Sequence, residues 1–438
     1  MNALAGIPHL PRTPLVGHTL DFLRDPYGLH ARSRARLGPV YRIDLLGDWR
    51  VTLGGADALG FILGDRDKLF SSAGGWDVLS GLFPGGLMLR DFDDHRAHRR
   101  LMQTAFRKPA LDAYRDAMGA AMGTLLERWP LDRPFRFYPA IKALTLQMGA
   151  QVFMGLPLDD ARAGALNSAF AAEVAASVGV IRKPWPGTKM RRGTRARRVL
   201  IDTFREMIPA RRAAPGPDFF SQMCVATDQD GTGWSAEEIA DHFNFLLMAA
   251  HDTTAASLSK VVWALAAYPD WQVRVRDEVA ALDGGPLDDA ALASMEVTDR
   301  VFREALRLLP PVPFIPRQAV RDFEWEGRTY PAGTYVSALP GPVMRDPAFW
   351  PEPERFDPDR FAPGRAEDRA HPYAWAPFGG GAHKCIGLHF ATLQVKLFVA
   401  LLMRRARVTP AVALPTRWAA VPIPKPRDGL PIVLRART

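Results

Sequence analysis

Apolar residues recur three and four positions apart over most of the chain, the period of a helix with one buried face. Such patterns run through residues 26–36, 56–63, 94–106, 110–129, 139–154 and about 159–176, and through a basic stretch at 191–212. The longest begins at Ser235-x-x-Glu238, a capping box, and is expected to continue to Tyr268 before Pro269 stops it. At 1.5 Å per residue this helix is roughly 50 Å long. Another covers 297–309 and ends at Pro310-Pro311, and an apolar helix is expected over 388–402. The period changes to two at 40–44 and 49–53, which read as strands joined by a turn at Gly47-Asp48. Residues 323–330 and 333–338 also read as strands, with a short β tail at 431–435. Two stretches break the pattern. Residues 71–94 are glycine-rich yet carry Trp76, Leu82, Phe83, Leu87 and Met88, and residues 178–190 hold Pro184, Pro186 and Gly187. With no repeat and no flexible linker, the expectation is a single mainly α domain over 1–438, its β-rich part near 38–55 and 311–340.

Composition narrows the classes. The 438 residues carry a formal charge of +9, but the arginines are spread over helices and no nucleic-acid motif accompanies them. Acidic protein partners suit this balance better than nucleic acid. Two cysteines, Cys224 and Cys385, cannot form a disulfide framework, which suits a reducing, cytoplasmic setting. The apolar runs in residues 1–20 are broken by Pro8, Pro11 and Pro14, so neither a signal peptide nor a transmembrane anchor of ~20 residues is expected there. A monomer is expected.

The most specific stretch is Phe378-Gly379-Gly380-Gly381-Ala382-His383-Lys384-Cys385-Ile386-Gly387. Glycines permit a tight turn, backbone amides can face the sulfur, and the following helix brings its positive end near a thiolate. The spacing Phe-x-x-Gly-x-His-x-Cys-x-Gly resembles the haem-ligating loop of the cytochrome P-450 family. The resemblance implies a mostly helical triangular-prism fold with a small β-rich subdomain. It implies one haem b per chain, the Cys385 thiolate as axial iron ligand, and Phe378, Gly379 and Ala249 against the cofactor.

Two further constellations agree. Glu304-x-x-Arg307 puts opposite charges on one face of a helix flanked by Val301, Phe302, Leu306 and Leu308, so the pair should be buried and fully hydrogen-bonded. The segment Phe356-Asp357-Pro358-Asp359-Arg360-Phe361 resembles the family segment whose arginine joins that pair. Arg355 sits in a near-copy, so either Arg355 or Arg360 could complete the lock. In the long helix, Ala249-Ala250-His251-Asp252-Thr253-Thr254 places an acid beside two threonines in an apolar run, a costly arrangement without a purpose. It resembles the family's oxygen-activation motif, with Ala250 where most relatives have glycine. By that resemblance Thr253 would hydrogen-bond the bound oxygen and Asp252 would relay protons. Haem propionates would be met by His95 and Arg99, four apart on one helix face, by Arg317 and by His383.

The resemblance implies insertion of one oxygen atom from O2 into an apolar small molecule. No flavin or nicotinamide motif is present, so electrons should come from a separate acidic ferredoxin-type partner, met by Arg100, Arg107, Lys108 and Lys384. Phe83, Met88, Phe243, Leu247, Ala250, Val312 and Phe314 are candidates for the substrate pocket. Pro186-Gly187-Thr188 with Ala196-Arg197 resembles relatives that oxidise retinoids and sterols, which points to a terpenoid, steroid or other isoprenoid. A peroxide-driven peroxygenase of the same fold is the alternative enzyme, disfavoured by Asp252 and Thr253. A non-catalytic haem or ligand-binding protein is the alternative outside enzymes.

Overall fold

A computed structural model of the chain describes residues 4–436 apart from 107, 158–160, 178, 180, 229, 283 and 414–416. Arg107, the expected helix start at 159 and the first residue of the expected loop at 178 lie outside the described residues. The principal helices, numbered in chain order, are α1 Pro26–Leu37, α2 Ala56–Gly64, α3 Phe92–Met102, α4 Lys108–Glu127, α5 Phe137–Met154 and α6 Ala161–Ser177. They continue with α7 Lys189–Ala213, α8 Phe219–Val225, α9 Ala236–Ala267, α10 Pro269–Ala280, α11 Glu296–Leu308 and α12 Leu388–Arg405. The chain groups into two compact units.

One unit comprises Met1–Asp77, Arg300–Ile386 and Arg417–Arg427. It holds a five-stranded sheet of β1 Val40–Leu45, β2 Asp48–Leu53, β3 Phe70–Ser71, β4 Ile315–Ala319 and β5 Tyr335–Ala338, in the order β1-β2-β5-β4-β3. Only the β2–β5 pairing among these is parallel. The alternation read in β2 and β5 places Val51, Leu53, Val336 and Ala338 on one buried face. Leu59, Ile62 and Leu63 of α2 pack with them, a period-3.6 stripe on a period-2 surface. The β1–β2 turn is Leu46-Gly47, one residue earlier than read, because both positions take positive φ, 56° and 95°.

The other unit comprises Val78–Asp299, Gly387–Thr416 and Asp428–Thr438. Its axis is α9. Ser235 Oγ accepts from the Glu238 N–H at 3.2 Å while Glu238 Oε2 accepts from the Ser235 N–H at 2.9 Å, so the capping box is complete. Helices α5, α7, α8 and α10 pack along α9. Ile239, Leu258, Val261, Val262 and Leu265 of α9 are fully buried. The α12 helix is a core element: Leu397, Phe398 and Leu402 are buried, and Phe398 meets Trp129 and Phe137 at ring distances of 6.1 Å. Among the described residues, one stretch, Gly381–Arg405, is long and apolar enough to cross a membrane, and half of its apolar window is buried inside the protein. Strands Pro134–Arg136, Pro431–Ala436 and Ala406–Pro410 form a three-stranded antiparallel sheet.

Two of these principal helices escape the sequence reading. Pro269 was expected only to stop α9, yet it is also the first residue of α10, where its missing N–H costs nothing. The short α8 is buried on most sides, so it lacks an amphipathic period.

The α9 helix also buries Lys260 completely, and its Nζ has no hydrogen-bond partner among the described residues. Burial drives its pKa well below the ordinary 10.5, so between the folded and the unfolded pKa the folded protein holds a neutral amine while the unfolded chain stays protonated. The unfolded state therefore binds more protons in that window, and the lysine's cost shrinks as pH rises towards 10.5. Lys260→Met should raise the melting temperature at neutral pH by roughly a few degrees, with the gap to wild type closing at alkaline pH. A gap that is constant with pH would contradict this reading.

Candidate active site

In the first unit the glycine loop is built by close approach. Gly381 has φ +61°, and a Cβ there would stand 1.8 Å from the Leu63 carbonyl oxygen on α2. A Cβ on Gly380 would stand 2.5 Å from the Tyr373 ring. Both distances are far inside van der Waals contact, so only glycine lets the loop sit against α2 and Tyr373. The Cys385 N–H donates to the Phe378 carbonyl at 2.9 Å and closes the loop. Cys385 is exposed at its end. Phe378 is half-buried and meets Trp375 edge-on at 6.0 Å, and Trp375 Nε1 donates to the Arg303 carbonyl at 3.2 Å. Gly379 has φ +70°. Cys224 differs in kind: it is buried in α8, and burial pushes its thiol up to about 12, away from the thiolate a metal needs. Arg317 lies buried on β4, one guanidinium N–H donating to the Pro316 carbonyl at 2.9 Å, and His383 is half-buried in the loop.

The ion lock in the same unit is fully buried. Glu304 takes the Arg307 fork through two bonds, 2.7 Å to Nε and 2.9 Å to Nη2. The Asp357 N–H donates to Glu304 Oε1 at 2.9 Å, and Arg360 Nε stands 3.5 Å from the same oxygen. Arg307 also donates to the Met344 carbonyl at 2.9 Å and lies over the Trp350 ring at 5.2 Å. Arg360 donates to Glu367 Oε2 at 2.8 Å. The question left open by sequence is settled in geometry: the Arg355 side chain is 64% exposed and pairs with Glu352, and only its backbone carbonyl accepts from Arg307.

In the second unit, α9 presents Ala249 and Ala250, both half-buried, ahead of Asp252 and Thr253. Thr253 Oγ1 donates to the Ala249 carbonyl at 2.7 Å, and Ser257 Oγ donates to the Thr253 carbonyl at 2.8 Å. Such back-bonding loosens the helix ladder locally. Thr254 donates to Gln394 Oε1 of α12 at 3.2 Å. Asp252 Oδ1 forms an ion pair with Lys142 Nζ of α5 at 2.7 Å. His251 packs against Phe170 and meets Thr145 Oγ1 at 3.2 Å, and burial lowers its pKa to about 4, so it is neutral at pH 7. Leu166, Phe170, Leu200, Leu247, Ala250 and His251 are among the residues lining a cavity of about 30 Å³, room for one or two waters. His95 is buried on α3 and Arg99 half-buried one turn on.

Of the pocket candidates in this unit, Leu247 and Ala250 line that cavity. Phe243 does not: its ring is fully buried against Phe204 and Phe220, at 5.0 and 4.6 Å. Phe243 and Phe245 stand two apart on α9, and the sequence does not say which ring faces a neighbouring helix. Phe83 is buried and Met88 half-buried. In the first unit, Val312 packs on the sheet core, and Phe314 is enclosed by Phe22, Tyr27 and His30 at 5.1–5.6 Å. Sequence reasoning passed over Lys142. Its signal was available: one cation among Ile141, Ala143, Leu144 and Leu146, on an otherwise apolar helix.

The residues present fit haem. An exposed cysteine on a loop rigidified by close backbone contact, with buried Arg317 in its own unit, suits a thiolate-held anionic cofactor.

Comparison with known proteins agrees. A family model described as cytochrome P450 matches residues 8–426. Cytochrome P450 136 of Mycobacterium tuberculosis strain H37Rv is 39% identical over 435 residues, 97% of this chain and 87% of that protein. Cyclooctat-9-en-7-ol 5-monooxygenase of Streptomyces melanosporofaciens is 31% identical over 409 residues, 91% of this chain and 88% of that one. Among solved structures, retinoic-acid-bound cyanobacterial CYP120A1 matches with a TM-score of 0.88 and 29% identity, covering 99% of this chain and 100% of that chain.

Removing one partner of a buried ion network strands the others. Arg360→Ala should therefore destabilise the protein by about 3–5 kcal/mol in chemical denaturation, whereas Arg355→Ala, whose contribution is a backbone carbonyl, should leave the midpoint unchanged. Equal effects of the two would contradict the geometry.

Proposed function

The chain belongs to the cytochrome P450 family and is a haem-thiolate monooxygenase, and from that premise we propose that it hydroxylates an apolar isoprenoid, with electrons from an acidic ferredoxin-type partner. What carries the substrate class is similarity to two isoprenoid-linked proteins, a monooxygenase of cyclooctat-9-en-7-ol and a structure with retinoic acid bound. The apolar Leu247, Ala250 and Phe170 beside the catalytic stretch of α9 are compatible with it. The basic balance of +9 and the absence of a flavin motif support a separate acidic electron donor. A cytoplasmic, monomeric enzyme completes the proposal.

Haem b, held in this family through a cysteine thiolate, supplies the oxygen and electron chemistry when bound. In this chain Cys385 is the residue that would hold it. The loop contacts fix the backbone ahead of the sulfur, so little order has to be gained there on binding. Arg317, His383, His95 and Arg99 would meet the propionates as charge-assisted donors. Ala249 and Ala250 keep the α9 surface low, so a flat group can approach the helix backbone. Thr253 spends its hydroxyl proton on the Ala249 carbonyl, which leaves its oxygen as an acceptor, and it would trade that bond for one to a reacting oxygen. Asp252, adjacent on the helix, is the acid that replenishes the proton. The lock of Glu304, Arg307 and Arg360 does no chemistry; it holds the segment around Trp350 and Asp357 in place.

Cys385→Ser should abolish the thiolate-type carbon monoxide difference spectrum of the reduced protein, and Cys224→Ser should preserve it. Thr253→Ala should keep oxygen uptake but divert it to hydrogen peroxide, lowering product per oxygen by about tenfold or more. Unchanged coupling would remove Thr253 from the proton path. Screening terpenoids, steroids and retinoids beside fatty acids and simple aromatics for the ligand-induced Soret shift should give responses in the isoprenoid set. Responses confined to fatty acids or aromatics would reject that substrate class.

A further inference from the structure

Two histidines bond directly from α3 to α9. His98 Nδ1 lies 2.8 Å from His242 Nε2. His242 is fully buried, and the His98 side chain is 12% exposed. Trp234, just before α9, lies beside both rings, nearly parallel to His98 at 6.1 Å and tilted against His242 at 4.8 Å. The charged groups facing the pair come from three places. Asp94 Oδ1 of α3 and Glu238 Oε1 of α9 stand 3.4 and 3.6 Å from His98 Nε2. Arg90, ahead of α3, donates to both Asp94 oxygens at 2.9 and 3.0 Å. Glu238 gives its other oxygen, Oε2, to the Ser235 cap. The pair thus joins α3 to the capped start of α9.

Only one proton fits between the two nitrogens. When His242 donates it, His98 carries its own proton on Nε2, towards both carboxylates, and the buried Nδ1 of His242 is a bare acceptor. That nitrogen has no hydrogen-bond partner among the described residues. The opposite tautomer would put an N–H there with nothing to receive it, the costlier arrangement. A further proton meets the same obstacle wherever it binds. It either sets two N–H groups face to face or places one on His242 Nδ1. Burial opposes it as well, lowering the pKa of His98 and driving that of His242 well below 6.5.

We propose that the His98–His242 bond is a clip that holds α3 against the first turns of α9, and that acid opens it and loosens the grip of His95 and Arg99 on the haem. His95 and Arg99 flank His98 on α3, so the inference rests on reading them as cofactor contacts. His98 and His242 are positioning residues in this scheme, since they act through α3. Both imidazoles charge more readily once the clip is open. The closed form is therefore favoured above the ordinary histidine value of 6.5 and loses ground as pH falls below it.

The test follows haem-loaded wild type, His98→Leu, His242→Leu and the double variant His98→Leu/His242→Leu from about pH 7.5 to about pH 5.5. Two quantities are read: protection of the α3 amides in hydrogen exchange, corrected for the intrinsic effect of pH, and the rate of haem transfer to excess apomyoglobin. In wild type, protection should fall and transfer should quicken by about tenfold across this range. Each single variant strands one imidazole and should release haem faster already at the upper pH. The double variant strands neither, and both quantities should be flat with pH. A readout that needs no variant is the ¹⁵N coupling across the N–H···N bond in wild type, present at the upper pH and lost at the lower. Flat wild-type behaviour, or a double variant that keeps the wild-type pH dependence, would overturn the clip. Protection that falls while transfer stays constant would uphold the clip and overturn the placing of His95 and Arg99 on the cofactor.

Discussion

One close approach governs the cysteine end of the molecule: the backbone of Gly381 against the Leu63 carbonyl, with no space for a Cβ between them. Contact at this distance fixes the loop to α2, and α2 is fixed in turn by Leu59, Ile62 and Leu63 against the sheet. The sulfur's position is therefore inherited from a packed core rather than from a flexible surface loop. That is what a metal ligand requires, because displacement of a ligand by even a fraction of an ångström is felt at the metal.

The buried lock serves the same end by another route. A buried ion pair is not stabilising by itself; it must recover its desolvation through geometry and hydrogen bonds. Glu304 does so by receiving two Arg307 bonds and the Asp357 amide, while Arg307 donates to the Met344 carbonyl and Arg360 to backbone carbonyls and Glu367. The network thereby specifies one conformation for a stretch of chain with little regular structure. On α9 the strategy is reversed. There the helix is loosened where Thr253 and Ser257 bond back into it, while the rest of the helix is locked by buried apolar contacts.

The sequence disclosed elements whose signal is local. The capping box of α9, the glycine loop, and the Glu304–Arg307 spacing each state their chemistry within ten residues, and the structure brings Glu304, Arg307 and Arg360 together. It was silent where the decision is tertiary. Arg355 and Arg360 sit in near-identical segments, and only the turn at Asp357 decides which side chain goes inward. Phe243 and Phe314 read as pocket walls on an apolar stretch, and the structure sets each against aromatic rings of other elements, which the local pattern does not encode. Lys142 carries no motif at all; its ion-pair partner, Asp252, is more than a hundred positions away. The substrate class is legible only through relatives, because apolar lining specifies polarity and not shape.

Iron-edge X-ray absorption of the haem-loaded protein, with Cys385→Ser and Cys224→Ser beside it, bears most directly on the claim that this loop exists to present one sulfur to iron. The account predicts a sulfur scatterer in the first coordination sphere of wild type and Cys224→Ser, replaced by a lighter atom in Cys385→Ser. A wild-type spectrum without sulfur, or a sulfur that survives the loss of Cys385, would contradict it.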